Sequence, residues 1–357
     1  MVEHFRFHRA ALQGACEGDI LAARPRCAEV FLIRNWEGWE FMRLSVLVLG
    51  LVTLTGAAQT RPAILGISHM AVYTSDSTKA EHFYVQEIGL KKGDDPERSD
   101  GARYWVNEEQ FIEVLPMAAD AGVNRLDHLA YITASAEKLR VYLGARGVTV
   151  PGAVQHGSDG SAWFEVKDPE GNKVQFVQPP AKALGTKDTA KLYELTGADP
   201  IGRRIIHVGM LVRSKEKEDS FYREILGFRP YWHGGMQPDK TDWVSQEVPE
   251  GGDWLEYMMT SGPSGSGIPA EISQKQLGVL DHFSLGVENM EKAVTKLASE
   301  DRLGGEAPRP QLGKDGKWQF NMYDPDLVRV ELMEFGAVEK PCCSDFTAAN
   351  PAPGQQP

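Results

Sequence analysis

Four short segments of the chain share one pattern of hydrophobic and polar positions. Each has an apolar residue two positions before a histidine and alternating apolar residues after it, as a strand with one buried face does. The segments are IleSerHisMetAlaVal at 67–72, LeuAspHisLeuAlaTyr at 126–131, IleIleHisValGlyMet at 205–210 and LeuAspHisPheSerLeu at 280–285. The pattern predicts four equivalent strands that contain His69, His128, His207 and His282.

The repeat extends beyond these strands and relates the first segment to the third. An aromatic pair and a glycine follow both histidines at the same distances, 138 positions apart (69 to 207). The matching sets are His69 with Phe83-Tyr84 and Gly89-Leu90, and His207 with Phe221-Tyr222 and Gly227-Phe228. Residues 79–88 and 217–226 have apolar positions at helical spacing, and the glycine stands where a left-handed residue ends a helix. A helix is therefore predicted after each strand.

A second repeat relates the other two segments. Each is followed by an Asp-Pro pair that opens a turn before an apolar-rich strand. The matching sets are His128 with Asp168-Pro169 and His282 with Asp324-Pro325. Each unit therefore consists of a strand, a helix and a few further strands. The pattern predicts an α+β fold of four βαβββ modules, two in each of two domains.

The repeat also divides the chain into domains. The first domain is expected at 64–180 and the second at 203–337, with a linker at 181–202 that contains scattered Pro, Gly and Lys. Residues 338–357 are rich in Pro, Ala and Gln and are predicted to form a flexible tail.

Residues 42–58 have the anatomy of a secretory signal peptide. Met42-Arg43 supplies one positive charge, an apolar run begins at Leu44, and small residues end it at Ala57-Ala58. The run is shorter than the roughly 20 residues that a membrane-spanning helix needs. We expect an exported protein, periplasmic or secreted, in which residues 1–41 are a non-native upstream extension. An uncleaved signal anchor, or a cytoplasmic protein if the signal does not work, is the alternative.

Composition narrows the range of partners. The net charge of −12 disfavours nucleic acid and anionic membrane surfaces. We expect a small-molecule substrate, no nucleic acid, no stable membrane anchor, and a monomer or a homodimer. The four cysteines are too few for a disulfide scaffold. The adjacent pair Cys342-Cys343 is open to a vicinal disulfide, a soft-metal site or two free thiols.

The motifs, taken in phase, resemble those of a known superfamily. PheTyr-x-x-x-x-Gly occurs at 83–89 and 221–227, and Asp-Pro followed by Gln or Glu occurs at 168–175 and 324–331. Four βαβββ modules with metal-ligand positions on the first and last strands resemble the vicinal-oxygen-chelate superfamily. That superfamily includes glyoxalase I, extradiol dioxygenases, fosfomycin-resistance proteins and bleomycin-binding proteins. The resemblance implies two glyoxalase-like curved-sheet barrels over 64–337, but it leaves open whether modules pair one with two and three with four, or crosswise.

The resemblance implies a metal site in the second domain. By position its ligands are His207, Glu256, His282 and Glu331. Two imidazoles and two carboxylates suit a divalent Zn, Ni, Co, Mn or Fe ion. A carboxylate inside an apolar strand is costly unless it is paired or bound to a metal, so Glu331 is either a ligand or the partner of a salt bridge.

The resemblance implies an equivalent set of positions in the first domain. They hold His69, Glu113, His128 and Gln175. A glutamine carbonyl can ligate a metal, but one negative charge is lost relative to the second domain. We therefore expect a weaker second metal site.

Three functions are open to such a site. A metal that chelates two vicinal oxygens stabilises an enediolate, and two glutamates favour a glyoxalase I-type isomerase or lyase with Glu331 or Glu256 as base. One alternative is an extradiol ring-cleavage dioxygenase, whose two-histidine, one-carboxylate triad would be His207, His282 and Glu331. The surplus Glu256 and the lack of a histidine between His233 and His282 count against it. The other alternative is a non-catalytic binding or resistance protein.

Residues near the second-domain ligands are candidates for substrate binding. Trp254 and Tyr257 flank Glu256 in the sequence and could hold a planar ligand, together with Trp232 and Trp243. His233 precedes two glycines and is expected in a loop over the site. The alternative is core packing for the aromatic residues and solvent exposure for the histidine.

Overall fold

The computed structural model describes five stretches of the chain. They are residues 60–118, 122–181, 199–259, 271–304 and 307–353. The predicted signal peptide at 42–58, the upstream extension at 1–41 and most of the linker lie outside these residues. Within them, every helix is too short or too polar to cross a membrane.

The first half of the described chain forms one eight-stranded sheet with the order β2-β3-β4-β1-β5-β8-β7-β6. Its strands are β1 (Ile64–Thr74), β2 (Lys91–Asp94), β3 (Ala102–Trp105), β4 (Phe111–Pro116), β5 (Leu126–Thr133), β6 (Gln155–His156), β7 (Ala162–Lys167) and β8 (Lys173–Gln178). Helix α1 (Ser77–Glu81) follows β1 and continues as a π-helical turn at His82–Glu87, and α2 (Ala136–Gly144) follows β5. The side chains of Asp76 and Ser135 cap the two helices by accepting backbone N–H bonds.

The second half forms an equivalent sheet with the order β10-β11-β12-β9-β13-β16-β15-β14. Its strands are β9 (Ile205–Val212), β10 (Arg229–Gly234), β11 (Trp243–Glu247), β12 (Trp254–Met259), β13 (His282–Val287), β14 (Gln311–Leu312), β15 (Trp318–Tyr323) and β16 (Arg329–Glu334). Helix α3 (Lys215–Asp219) follows β9 and continues as a π-helical turn at Ser220–Ile225. Helix α4 (Gln274–Leu280) precedes β13, and α5 (Met290–Ser299) follows it.

The sheet topology settles which modules pair. Module one joins module two through antiparallel β1 and β5, and module three joins module four through antiparallel β9 and β13. Within each module the first strand lies parallel to the last, and each sheet curls into a half barrel. The predicted α+β class and the four βαβββ modules are confirmed, and pairing is sequential.

Alternation of side chains gives each sheet two different faces. One face packs against the helices, and in the second half Val208, Leu255, Phe283 and Val330 are fully buried there. The alternate residues on the same strands, including the histidines, point to the concave face. A slip of one residue would exchange the two faces, so burial of the helix-side core fixes the register of the concave face.

Buried polar groups join the two halves. The Gln110 side chain donates to the carbonyls of Ile67 and Ile205, at 3.1 and 3.0 Å, and accepts from the backbone N–H of Ile205 at 2.8 Å. Asp253 accepts from the N–H of Ile67 at 3.1 Å and pairs with Arg204 at 2.6 Å. Because these groups are buried, each contact between the halves satisfies an atom that would otherwise lack a partner.

The segment that was expected to be a flexible tail makes defined contacts with β10. The Phe346 ring lies 4.9 Å from the Tyr231 ring, and Trp232 Nε1 donates to the carbonyl of Cys342 at 3.3 Å. Cys342 and Cys343 are joined by a vicinal disulfide. The prediction of a flexible tail used average composition and took no account of Phe346, whose aromatic side chain packs against Tyr231.

Small residues lie opposite the histidines of the second half. Gly209 on β9 pairs with His282 on β13, and Ser284 pairs with His207. A Cβ atom added to Gly209 would lie 2.0 Å from Cε1 of His282. The His282 ring therefore occupies the space that a side chain at position 209 would need.

We expect Gly209→Ala to lower the free energy of unfolding by about 1–3 kcal/mol, because the new methyl group must displace the buried His282 ring. Gly336→Ala is the matched control, since a Cβ there meets no atom within 4 Å. It should change stability by less than about 1 kcal/mol. Urea unfolding of both variants measures the difference, and equal midpoints would contradict the close approach.

Candidate metal centres

The concave face of the second sheet brings the four predicted ligands together in two rows across β12, β9, β13 and β16. One row is Trp254, His207, Ser284 and Glu331, and the next is Glu256, Gly209, His282 and Arg329. Each ligand therefore comes from a different strand. Gly209 or Ser284 separates the histidine from the glutamate in each row, which leaves space between the ligands.

The four ligand groups converge on one region. The Nε2 atoms of His207 and His282 are 3.0 Å apart. Glu331 Oε2 lies 3.1 Å from His207 Nε2 and 4.0 Å from His282 Nε2, and Glu256 Oε2 lies 3.6 Å from His282 Nε2. Both histidine side chains are 0% exposed, against 4% for Glu331 and 14% for Glu256. Glu256 is therefore the member of the set closest to solvent.

Both imidazoles are held in the neutral form. Burial lowers the pKa of His282 well below its usual value, and the charge of Arg329 adds to this. Burial also lowers the pKa of His207, although the hydrogen bond with Glu331 opposes the shift. His282 Nδ1 donates to the carbonyl of Leu280 at 2.8 Å, which leaves a lone pair on Nε2. His207 Nδ1 has no hydrogen-bond partner in the described part of the chain, so its tautomer is not fixed.

The pKa values of the two glutamates shift in opposite directions. Burial raises the pKa of Glu256 to about 8, and the charge of Glu331 adds to the rise. Burial acts on Glu331 in the same direction, but the charge of Arg329 and the contact with His207 outweigh it and hold its pKa below the usual value. The ligand atoms of His207, His282 and Glu331 all lie within 4.8 Å of one another. Two neutral imidazoles and one ionised carboxylate are a donor set that fits a divalent transition metal.

One wall of this centre consists largely of residues that the sequence analysis did not single out. Trp254 stacks on the His207 ring with centroids 4.8 Å apart, and Tyr231 packs against Trp254 at 5.0 Å. Lys317 Nζ lies 4.6 Å from the Trp254 ring centroid and 3.3 Å from the Tyr231 hydroxyl. Burial lowers the pKa of Lys317 to about 8, against the opposing charge of Asp315. The sequence signals this buried lysine only by the nearby Asp315, in a stretch that looks like an ordinary turn.

Two predicted substrate contacts lie away from the centre. Tyr257 belongs to the helix-side core, with its ring centroid 6.0 Å from that of Tyr222. His233 is exposed on β10 and pairs with Val244, whose side chain also faces the helix-side core. Each stands one residue from a concave-face position, so strand alternation turns it to the other side. Of Trp254, Tyr257 and His233, only Trp254 faces the ligands, and Trp232 and Trp243 pack in the same apolar cluster as Trp254.

The first half holds a second cluster at the equivalent positions. His69 Nε2 and His128 Nε2 are 2.9 Å apart, and Glu113 Oε2 lies 3.6 Å from His128 Nε2. The ligand atoms of these three residues lie within 4.8 Å of one another, and all three residues are buried. Phe111 stacks on His69 at 4.3 Å, as Trp254 does on His207.

In the first cluster the carboxylate, Glu113, lies on β4, the first module's last strand, whereas Glu331 of the second cluster lies on β16, the fourth module's last strand. Gln175, at the position equivalent to Glu331, donates through Nε2 to Glu97 at 2.9 Å. Burial raises the pKa of Glu113 to about 10, and the hydrogen bond and charge of Asp95 add to this, so the carboxyl keeps its proton when no cation is present. Arg103 pairs with Asp95 at 3.3 Å and with Glu97 at 2.7 Å. The two halves therefore share a frame but differ in the third ligand.

The second half of the chain is similar to proteins of known families. A family model described as the Glyoxalase/Bleomycin resistance protein/Dioxygenase superfamily matches residues 204–332. Metapyrocatechase 2 of Cupriavidus necator is 28% identical over 192 residues. That match covers 48% of this chain and only 55% of the length of the relative.

Solved structures show the same fold over most of the chain. Homoprotocatechuate 2,3-dioxygenase from Brevibacterium fuscum, in complex with 3,4-dihydroxyphenylacetate, has a TM-score of 0.56 and 17% identity, covering 80% of this chain and 86% of its own. A catechol 2,3-dioxygenase has a TM-score of 0.55 and 14% identity, covering 82% and 91%. At these identities the similarity shows the fold alone. Residues 204–332 thus match the model of the glyoxalase, bleomycin resistance protein and dioxygenase superfamily, and both sheets of the described chain have the half-barrel fold of these solved structures.

Proposed function

We propose that the second half is a ring-cleaving dioxygenase of the extradiol type, in which His207, His282 and Glu331 hold Fe²⁺ or Mn²⁺. The observation that carries the proposal is the convergence of two neutral imidazoles and one ionised carboxylate within 4.8 Å. This donor set is the two-histidine, one-carboxylate triad of non-haem oxygenases. The names of the relatives support this function better than the isomerase that the sequence analysis placed first.

The substrate class is a catechol, an aromatic ring with two vicinal hydroxyl groups. The ion would supply a Lewis-acidic, redox-active centre for the two substrate oxygens and for O₂. Ring cleavage breaks one carbon–carbon bond and places both atoms of O₂ in the product, so it needs no external reductant. The contribution of the chain is to hold the donor atoms in place and to keep Glu331 ionised.

Neighbouring residues have roles that follow from their contacts. Trp254, stacked on His207, fixes the orientation of that imidazole. The buried charge of Lys317 acts on Glu256 and Glu331 and would stabilise an oxyanion on the substrate. Glu256, 3.6 Å from His282 Nε2 and partly open to solvent, has a pKa raised to about 8, so it would be mostly protonated at neutral pH and has no proton-accepting role in this proposal.

A glyoxalase-type isomerase is the second candidate, and a specific observation favours it. Glu256 would complete a set of two histidines and two glutamates, and a triad does not require that second carboxylate. In an isomerase, one of the glutamates would remove a carbon-bound proton. The two functions differ in whether O₂ is consumed and in how far activity depends on Glu256.

Iron-loaded protein should consume O₂ when a catechol is added and release a product with the combined mass of substrate and O₂. An oxygen electrode and mass spectrometry measure this, with His282→Ala as the inactive control. Isomerisation of a 2-oxoaldehyde–thiol adduct without O₂ uptake would replace the dioxygenase by the second candidate. Binding of either compound without turnover would leave a binding protein.

Two isosteric substitutions test whether Glu331, and not Glu256, is the carboxylate ligand of the triad. Glu331→Gln should lose most of the bound ion and reduce catechol-dependent O₂ uptake by more than about 100-fold, because a charged ligand is removed. Glu256→Gln should keep roughly one ion in the second half and lose less than about 10-fold, since its carboxylate lies outside the triad. Metal analysis beside kcat/KM gives both values. Equal losses in the two variants would contradict the assignment of ligands.

A further inference from the structure

Buried acceptor atoms without donors surround the first-half cluster. Glu113 Oε2, the oxygen that faces His128, has no hydrogen-bond partner within the described residues, and the same holds for Gln175 Oε1. Glu113 and Gln175 are each only 1% exposed. Buried acceptors normally have a partner. A cation between the imidazoles and these oxygens would supply one.

Hydrogen bonds orient the two imidazoles of this cluster toward the same point. His128 Nδ1 donates to Asp127 Oδ2 at 2.7 Å, because the carboxylate can only accept, and its Nε2 is left with a lone pair. His69 Nδ1 lies 3.0 Å from Ser68 Oγ, so its Nε2 also faces inward. Metal-ligating histidines commonly pass their other N–H to a carboxylate in this way. This support is more complete than in the second half, where His207 Nδ1 lacks a partner among the described residues.

We propose that His69, Glu113 and His128 bind a second divalent transition-metal ion, with the carbonyl oxygen of Gln175 as an additional ligand. This inference does not depend on the dioxygenase activity of the second half. The four residues are those expected from the sequence, and Glu113 supplies the carboxylate that position 175 lacks.

The second centre is closed, which indicates a structural ion. Arg103 on β3 pairs with Glu113 in register, and its guanidinium carbon lies 4.2 Å from the Phe111 ring centroid. In the second half the corresponding partner of Glu256 is the small Ser245. Structural metal sites are closed, whereas catalytic sites keep a position open. The ion would therefore hold β1, β4 and β5 together and take no part in turnover.

Zinc binding to the full chain tests this proposal. After removal of bound metal with a chelator and dialysis against Zn²⁺, the wild type should hold about two ions per chain. Glu113→Gln and Glu331→Gln should each hold about one, and the double variant none. A wild type with a single ion that Glu331→Gln removes would overturn the second site while leaving the proposed function untouched.

A matched control distinguishes between two ligand sets that share His128. Asp127, His128 and Glu165 also lie close enough to hold an ion. Glu165→Gln should retain two ions, because the proposal assigns the carboxylate to Glu113. Loss of an ion in Glu165→Gln, with two ions kept in Glu113→Gln, would overturn the assignment.

Thermal unfolding shows whether a variant loses its ion because a ligand is missing or because the protein is misfolded. In Glu331→Gln only the first-half site remains, and saturating Zn²⁺ should raise the unfolding temperature because it binds the folded state. The Glu113→Gln, Glu331→Gln double variant should show no shift, although it should unfold at the same temperature as Glu331→Gln in chelator. A zinc-induced shift of equal size in both variants would contradict the proposal.

Discussion

The arrangement of both clusters depends on one steric constraint, namely that a histidine on one central strand faces a small residue on the next. The pairs are His69 with Ala130, His128 with Ala71, His207 with Ser284 and His282 with Gly209. Because the central strands are antiparallel, each pair turns its ring over its neighbour, and the two Nε2 atoms meet at 2.9 Å in one half and 3.0 Å in the other. A large side chain at any of the four small positions would separate the rings. The helix-side core then fixes the register that makes these residues neighbours.

Within this common frame, a few substitutions give the two halves different chemistry. The second half has a carboxylate on both β12 and β16, with Glu256 reaching toward solvent. The first half keeps only the carboxylate on β4, and Arg103 covers it where the second half has Ser245. The Glu256 side chain is 14% exposed, whereas the Glu113 side chain is 1% exposed.

The sequence predicts the fold and the ligands because both follow from short-range periodicity. Alternation on each strand is enough to put His207, His282 and Glu331 on one face. The same rule places Tyr257 and His233 on the opposite face of the sheet, so it argues against their predicted contact with the substrate. The small residue two positions after every histidine, in HisMetAla, HisLeuAla, HisValGly and HisPheSer, was a readable signal. Lys317 could not be predicted, because its contacts with Trp254 come from residues far apart in the chain. The contact of Phe346 with Tyr231 has the same origin.

The proposed function requires that two imidazole nitrogens and one carboxylate oxygen of the second half bind a single cation. Anomalous diffraction at the metal absorption edge, from crystals equilibrated with Mn²⁺ or Fe²⁺, tests it directly. We expect a peak roughly 2.0–2.3 Å from His207 Nε2, His282 Nε2 and a Glu331 oxygen. A density map without that peak, with Glu331 turned fully onto Arg329 and the two rings hydrogen-bonded to each other, would contradict it.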